Sequence, residues 1–140
     1  MPFLLYRTET VYIANVLRMS YYNNCDRIFA DPQLMKPHVL ILEDNFFLTE
    51  NLAEIVQQDL DGEAVAVTTV AEALNRIPDD IALAFLDVEL LDGKSYPAAR
   101  KLMLNKIPFI FVSGNEQASL PVDFKDIPFL SKPVSTGAPF

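Results

Sequence analysis

The sequence predicts an open, doubly wound α/β fold on a five-stranded parallel sheet. Short apolar runs alternate with stretches of helical spacing. The runs are almost continuously apolar, as expected of strands covered on both faces. The four glycines, at 62, 93, 114 and 137, fall in the expected connections and never inside an element.

The elements follow in order. His38–Leu42 (HVLIL) is apolar and rich in β-branched residues, and it stops abruptly at Glu43-Asp44. It reads as a buried strand delivering two carboxylates to its end. From Asn45 the spacing turns helical, with Leu48, Leu52, Ile55, Val56 and Leu60 on one face, and Gly62 suits the position just past the helix. Residues 64–67 form a second strand. Thr69-Val70-Ala71-Glu72 reads as a capping box opening a short helix to about Ile77, before Pro78. Ile81–Leu86 is a third strand, ending in Asp87, and Asp92-Gly93 makes a turn. Ser95-Tyr96-Pro97 opens a helix through Leu104. Residues 107–112 form a fourth strand, ending at Ser113, and 127–130 a fifth, followed by Ser131-Lys132-Pro133.

Composition narrows the functions. A chain of 140 residues that is 51% hydrophobic can bury one core and is not intrinsically disordered. A net charge of −8 opposes a sequence-independent grip on nucleic acid and opposes docking to an acidic membrane surface. The single cysteine, Cys25, excludes an internal disulfide and a cysteine-based zinc site, and the single histidine, His38, excludes a multi-histidine metal site. No apolar run approaches the roughly 20 residues that span a bilayer, and Arg7 and Glu9 interrupt the apolar start, so a cytoplasmic protein is expected. Residues 1–37 carry four basic and three acidic groups, a net of +1, whereas 38–140 carry seven and sixteen, a net of −9. A boundary is therefore expected at Lys36-Pro37, between an N-terminal extension (1–37) and a compact acidic domain (38–140).

In open α/β sheets, ligands bind beyond the carboxyl ends of the strands. Glu43, Asp44, Asp87, Ser113 and Lys132 should all reach that rim. Three carboxylates repel one another unless a cation sits among them, and oxygen-only donors suit Mg2+. A divalent cation and a lysine together would let a carboxylate approach an anionic phosphoryl donor, with Asp87 as the natural acceptor.

The pieces ILED (41–44), FLDVELLDG (85–93), FVSGN (111–115) and LSKPV (130–134), in that order at strand ends, resemble a bacterial two-component response-regulator receiver domain of the CheY-like kind. The resemblance covers residues 38–133. DVELLDGKSYPAARKL followed by IPFIFVSGNEQASLP is similar to single-domain receivers of the FAT GUY type, associated with HWE-family histidine kinases. The resemblance implies that Asp87 is the phosphoacceptor and that Asp44 binds Mg2+ directly, with Glu43 bridged to it through water. Asp87 itself and the backbone carbonyl of Glu89 complete the protein's metal ligands. Ser113 matches the switch hydroxyl, Lys132 the family's lysine, and Phe129 the position of a switch aromatic. The implied function is a stand-alone receiver that takes phosphate from a histidine kinase or histidine phosphotransfer protein and signals to a downstream protein target. It would be a signalling protein and not an enzyme, with no nucleic acid or membrane as partner. Two other readings stay open: a phosphorylation-independent adaptor, and an aspartyl-phosphate phosphatase prompted by Asp87-x-Glu89. The acid pair preceding the nucleophile strand, and the lack of a cap domain, oppose the phosphatase.

The chain departs from that pattern after Lys132. Residues 134–140 contain Gly137 and Pro139 and cannot form the family's fifth helix, so a C-terminally truncated receiver without an output domain is expected. Residues 8–22 carry Ile13, Val16, Leu17 and Tyr21 at helical spacing. The extension is expected to fill the groove left by the missing helix, within its own chain or exchanged in a homodimer; a true start at Met35 and a cut natural C-terminus are the two other readings.

Overall fold

The structure, a computed structural model, describes residues 36–77, 80–114 and 120–132. The predicted helix over 8–22, Cys25 and the stretch 134–140 lie outside the described residues. Strand β1 (His38–Leu42) leads into helix α1 (Phe46–Asp59), followed by β2 (Glu63–Val67), α2 (Val70–Arg76) and β3 (Ile81–Leu86). Two very short strands, β4 (Glu89–Leu90) and β5 (Gly93–Lys94), precede α3 (Tyr96–Leu104). Then come β6 (Phe109–Ser113), a 3-10 turn (Val122–Phe124) and β7 (Phe129–Ser131). The main sheet has five strands in the order β2-β1-β3-β6-β7, every neighbouring pair parallel. This is the predicted doubly wound architecture.

Local chemistry explains the boundaries. The Asn45 side chain accepts the Leu48 N–H at 3.1 Å and opens α1. Thr69 Oγ1 accepts the Glu72 N–H at 3.1 Å and opens α2. Only that half of the predicted capping box forms: the Glu72 carboxylate accepts the hydroxyls of Thr68 and Thr69, at 3.1 and 3.2 Å, instead of a backbone N–H. β6 and β7 each start two residues later than the apolar runs predict, immediately after Pro108 and Pro128, whose ring nitrogens cannot donate to a ladder. The antiparallel β4–β5 hairpin was not predicted, two residues a strand being too few to show a period.

The sheet separates two apolar layers. On one face Leu40, Leu42, Leu86, Phe109 and Phe111 pack with α2, α3 and Phe124. Phe124 meets Phe111 at 5.5 Å and Tyr96 at 5.6 Å between ring centroids, with the Arg100 guanidinium 5.2 Å over its ring. On the other face Val39, Ile41, Leu83, Phe85, Ile110, Val112 and Leu130 pack with Leu48, Leu52, Ile55 and Val56 of α1. Among the described residues no helix follows β7. No helix among them is long and apolar enough to cross a membrane.

The end of α1 corrects one expectation. Asp61, not Gly62, adopts the left-handed conformation, with φ of 49°. The Gly62 N–H then closes on the Val56 carbonyl at 2.9 Å, turning the chain back against the last turns of the helix. Gly62 is required for space: a Cβ there would lie 3.0 Å from the Pro37 carbonyl oxygen and 3.2 Å from Val56 Cγ1. Gly62→Ala should therefore destabilise the fold by about 1–3 kcal/mol, as overpacking does. Urea unfolding would show this as a lowered midpoint.

Candidate functional site

β1 and β3 are neighbours at the centre of the sheet, and the backbone ladder continues past their ends. The Glu43 N–H donates to the Val67 carbonyl at 3.1 Å, Asp87 N–H to Leu42 at 2.9 Å, and Lys132 N–H to Ser113 at 3.0 Å. These bonds hold three chain segments of very different sequence position at one rim. The sequence-predicted residues Glu43, Asp44, Asp87, Ser113 and Lys132 all lie there, at the carboxyl ends of β1, β3, β6 and β7.

Lys132 organises the site. Its ammonium donates to Glu43 Oε1 at 3.2 Å and to Asp87 Oδ2 at 3.1 Å. Glu43 and Asp87 are only 1% and 6% exposed, so each carboxylate has lost most of its hydration. Glu43 Oε1 also accepts the Asn45 N–H at 3.1 Å, while Oε2 lies 3.1 Å from the ammonium but takes no hydrogen bond. Burial, and next the nearby Asp87 charge, push the Glu43 carboxyl up to about 7. Burial works against the Lys132 charge, yet the attraction of Asp87 and the hydrogen bonds to both carboxylates outweigh it and hold the ammonium above its ordinary pKa.

Carboxylate oxygens of Glu43, Asp44 and Asp87 all lie within 4.8 Å of one another, with Asp44 on the exposed side. One ammonium cannot neutralise three carboxylates, and Glu43 Oε2 is an orphaned buried acceptor. An oxygen-only donor set with excess negative charge fits a hard divalent cation such as Mg2+.

The remaining predicted residues are placed differently. Ser113 is buried at the end of β6, beside the Lys132 backbone. Glu89 opens β4 two residues past Asp87, and its exposed carboxylate pairs with Lys94 across the hairpin. That contact lowers the Glu89 pKa and raises that of Lys94. Phe129 is half-buried against the layer formed with α2 and α3, a packing position.

Asp92 has a larger role than its Asp-Gly turn suggested. Its carboxylate accepts the Val70 and Ala71 N–H groups at 3.0 and 3.2 Å, tying the hairpin to the first turn of α2, and the bond from Val70 lowers its pKa. The helical pattern at Val70 and the acid at Asp92 were both readable. Their meeting across 22 positions was not.

The elevated Glu43 pKa fixes a pH dependence for the metal-free protein. The folded state holds the Glu43 proton more tightly than the unfolded chain. Glu43's contribution to stability is therefore largest below about 4.5 and is lost as pH rises to about 7. In chelator, denaturant midpoints should fall over that window, and Glu43→Gln should flatten the fall.

No family model matches the chain, and no curated protein does either. Solved structures do. SdrG from Sphingomonas melonis Fr1 is 38% identical, with 72% of this chain aligned to 87% of that one at a TM-score of 0.63. The BeF3-activated conformation of SdrG from Pseudomonas melonis Fr1 is 40% identical, over 69% of this chain and 83% of that one, at 0.58. The non-phosphorylated HemR receiver domain from Leptospira biflexa is 30% identical, over 70% and 83%, at 0.59. With Glu43, Asp44, Asp87, Ser113 and Lys132 assembled at the rim of the same fold, the chain belongs to the CheY-like response-regulator receiver family.

Proposed function

We propose that this protein is a stand-alone receiver in which Asp87 accepts a phosphoryl group from a histidine kinase or histidine phosphotransfer protein, in a reaction that requires Mg2+. The observation that carries this reading is the Lys132 ammonium 3.1 Å from Asp87 Oδ2, at a rim holding two further carboxylates. An Asp87 oxygen forms a bond to phosphorus as the P–N bond of the phosphohistidine breaks. The bonding pair leaves on the imidazole nitrogen, which takes a proton from solvent. The product is an acyl phosphate on Asp87.

Each neighbouring group has a chemical task in this reading. Lys132 balances charge on the acceptor and can follow the incoming phosphoryl oxygens, a fixed positive group aimed where charge accumulates. Asp44, Asp87, Glu43 and the Glu89 carbonyl would hold the cation, which supplies charge neutralisation between two anionic reactants when bound. The Ser113 hydroxyl, at the end of β6, would follow the phosphoryl oxygens. The protein is then a signalling protein that carries phosphate to a downstream protein target, and it should not turn over external phosphomonoesters.

Intact mass after incubation with acetyl phosphate tests the proposal. The expected result is a gain of one phosphoryl group, dependent on Mg2+ and abolished by Asp87→Asn. Lys132→Ala should slow the gain on the order of a hundredfold, the usual cost of removing one aligned stabilising group. No gain in wild-type protein shown to be folded would overturn the reading and favour a phosphorylation-independent adaptor.

A further inference from the structure

A parallel sheet of five strands about 4.8 Å apart is about 19 Å across, whereas one helix with its side chains is about 10–12 Å wide. On one face α2, α3 and the Phe124 turn share that width. On the other, α1 is the one helix among the described residues, and its main contacts are with β2 and β1. Yet the side chains that β6 and β7 place in this layer are buried: Ile110 is 0% exposed, Val112 1% and Leu130 7%. A single helix over β1 and β2 is too narrow to cover them.

A cover other than α1 is therefore needed over β6 and β7. Residues 115–119 lead into Leu120 and Phe124, which pack on the opposite face. Residues 78–79 only join α2 to β3. Residues 133–140 contain Pro133, Gly137 and Pro139, a poor source of a helical cover. Residues 8–22 instead carry Ile13, Val16, Leu17 and Tyr21 at helical spacing. Charge agrees, since residues 1–37 have a net of +1 against −9 for the rest. So does reach: the 14 residues 23–36 can extend about 46 Å, and β7 lies three strands from β1, about 14 Å away.

We propose that residues 8–22 lie across β6 and β7 of their own chain, in the place that a helix after β7 would take. The cover would then be attached to the start of the first strand and not to the segment that carries Lys132.

Two measurements on the 140-residue chain test this. With the photo-crosslinker p-benzoylphenylalanine in place of Leu17, irradiation should give a crosslink within one chain, to peptides containing Ile110, Val112 or Leu130. A crosslinked dimer would overturn the proposal and assign the cover to a second copy, and a crosslink elsewhere on the surface would overturn it outright. Leu17→Asp should speed amide hydrogen exchange in β6 and β7 on the order of tenfold while leaving β2 unchanged. Unchanged exchange in β6 and β7 would overturn the proposal. So would the same acceleration on deleting residues 134–140, because the cover would then be the tail. The crosslink is read in near-native protein and remains decisive should Leu17→Asp unfold.

Discussion

The site depends on two buried carboxylates sharing one ammonium. Burial withdraws the water that would otherwise solvate Glu43 and Asp87, and the Lys132 ammonium between them offsets part of that loss. The pairing is not closed, since Asp44 adds a third carboxylate within 4.8 Å and Glu43 Oε2 takes no hydrogen bond. Excess negative charge at a rim built from oxygen donors is an electrostatic demand for a cation. Such a rim is compatible with a bound divalent cation.

The fold supplies this arrangement cheaply. Each charged group of the rim stands one or two residues beyond a strand, so its position is set by the ladder and not by a long loop. Glu43 hangs from Val67, Asp87 from Leu42 and Lys132 from Ser113. The strands themselves are held by two apolar layers, of which the aromatic one, Tyr96, Phe109, Phe111 and Phe124, is the more specific in its geometry. Asp92 extends the same logic to the hairpin after Asp87, its two carboxylate oxygens accepting N–H groups from the first turn of α2.

The central sheet was legible because its strands are buried on both sides and end abruptly in charge: HVLIL before Glu43-Asp44 and IALAFL before Asp87 leave little freedom of reading. Asp87 and Lys132 were legible for the same reason, as polar groups at the ends of apolar runs. What escaped was non-local or too short. The β4–β5 hairpin has no room for a period, and the bond from Val70 to Asp92 joins residues that no local pattern relates. Gly62 was readable as a residue just past the helix, but only the folded packing shows that the Pro37 carbonyl would strike a side chain there. The late starts of β6 and β7 at Pro108 and Pro128 were readable in principle from the missing donors, but the apolar run obscured them.

The strand order β2-β1-β3-β6-β7 has a kinetic consequence. No adjacent pair can form as a tight hairpin, because every pairing is parallel and must wait for a crossover to close. Lys132 reaches Glu43 across 89 positions and Asp87 across 45, and it arrives with the last strand. A nascent chain, or a partly unfolded one with β7 detached, therefore has acids but no ammonium among them. The charge balance of the rim is therefore completed only when β7 takes its place beside β6.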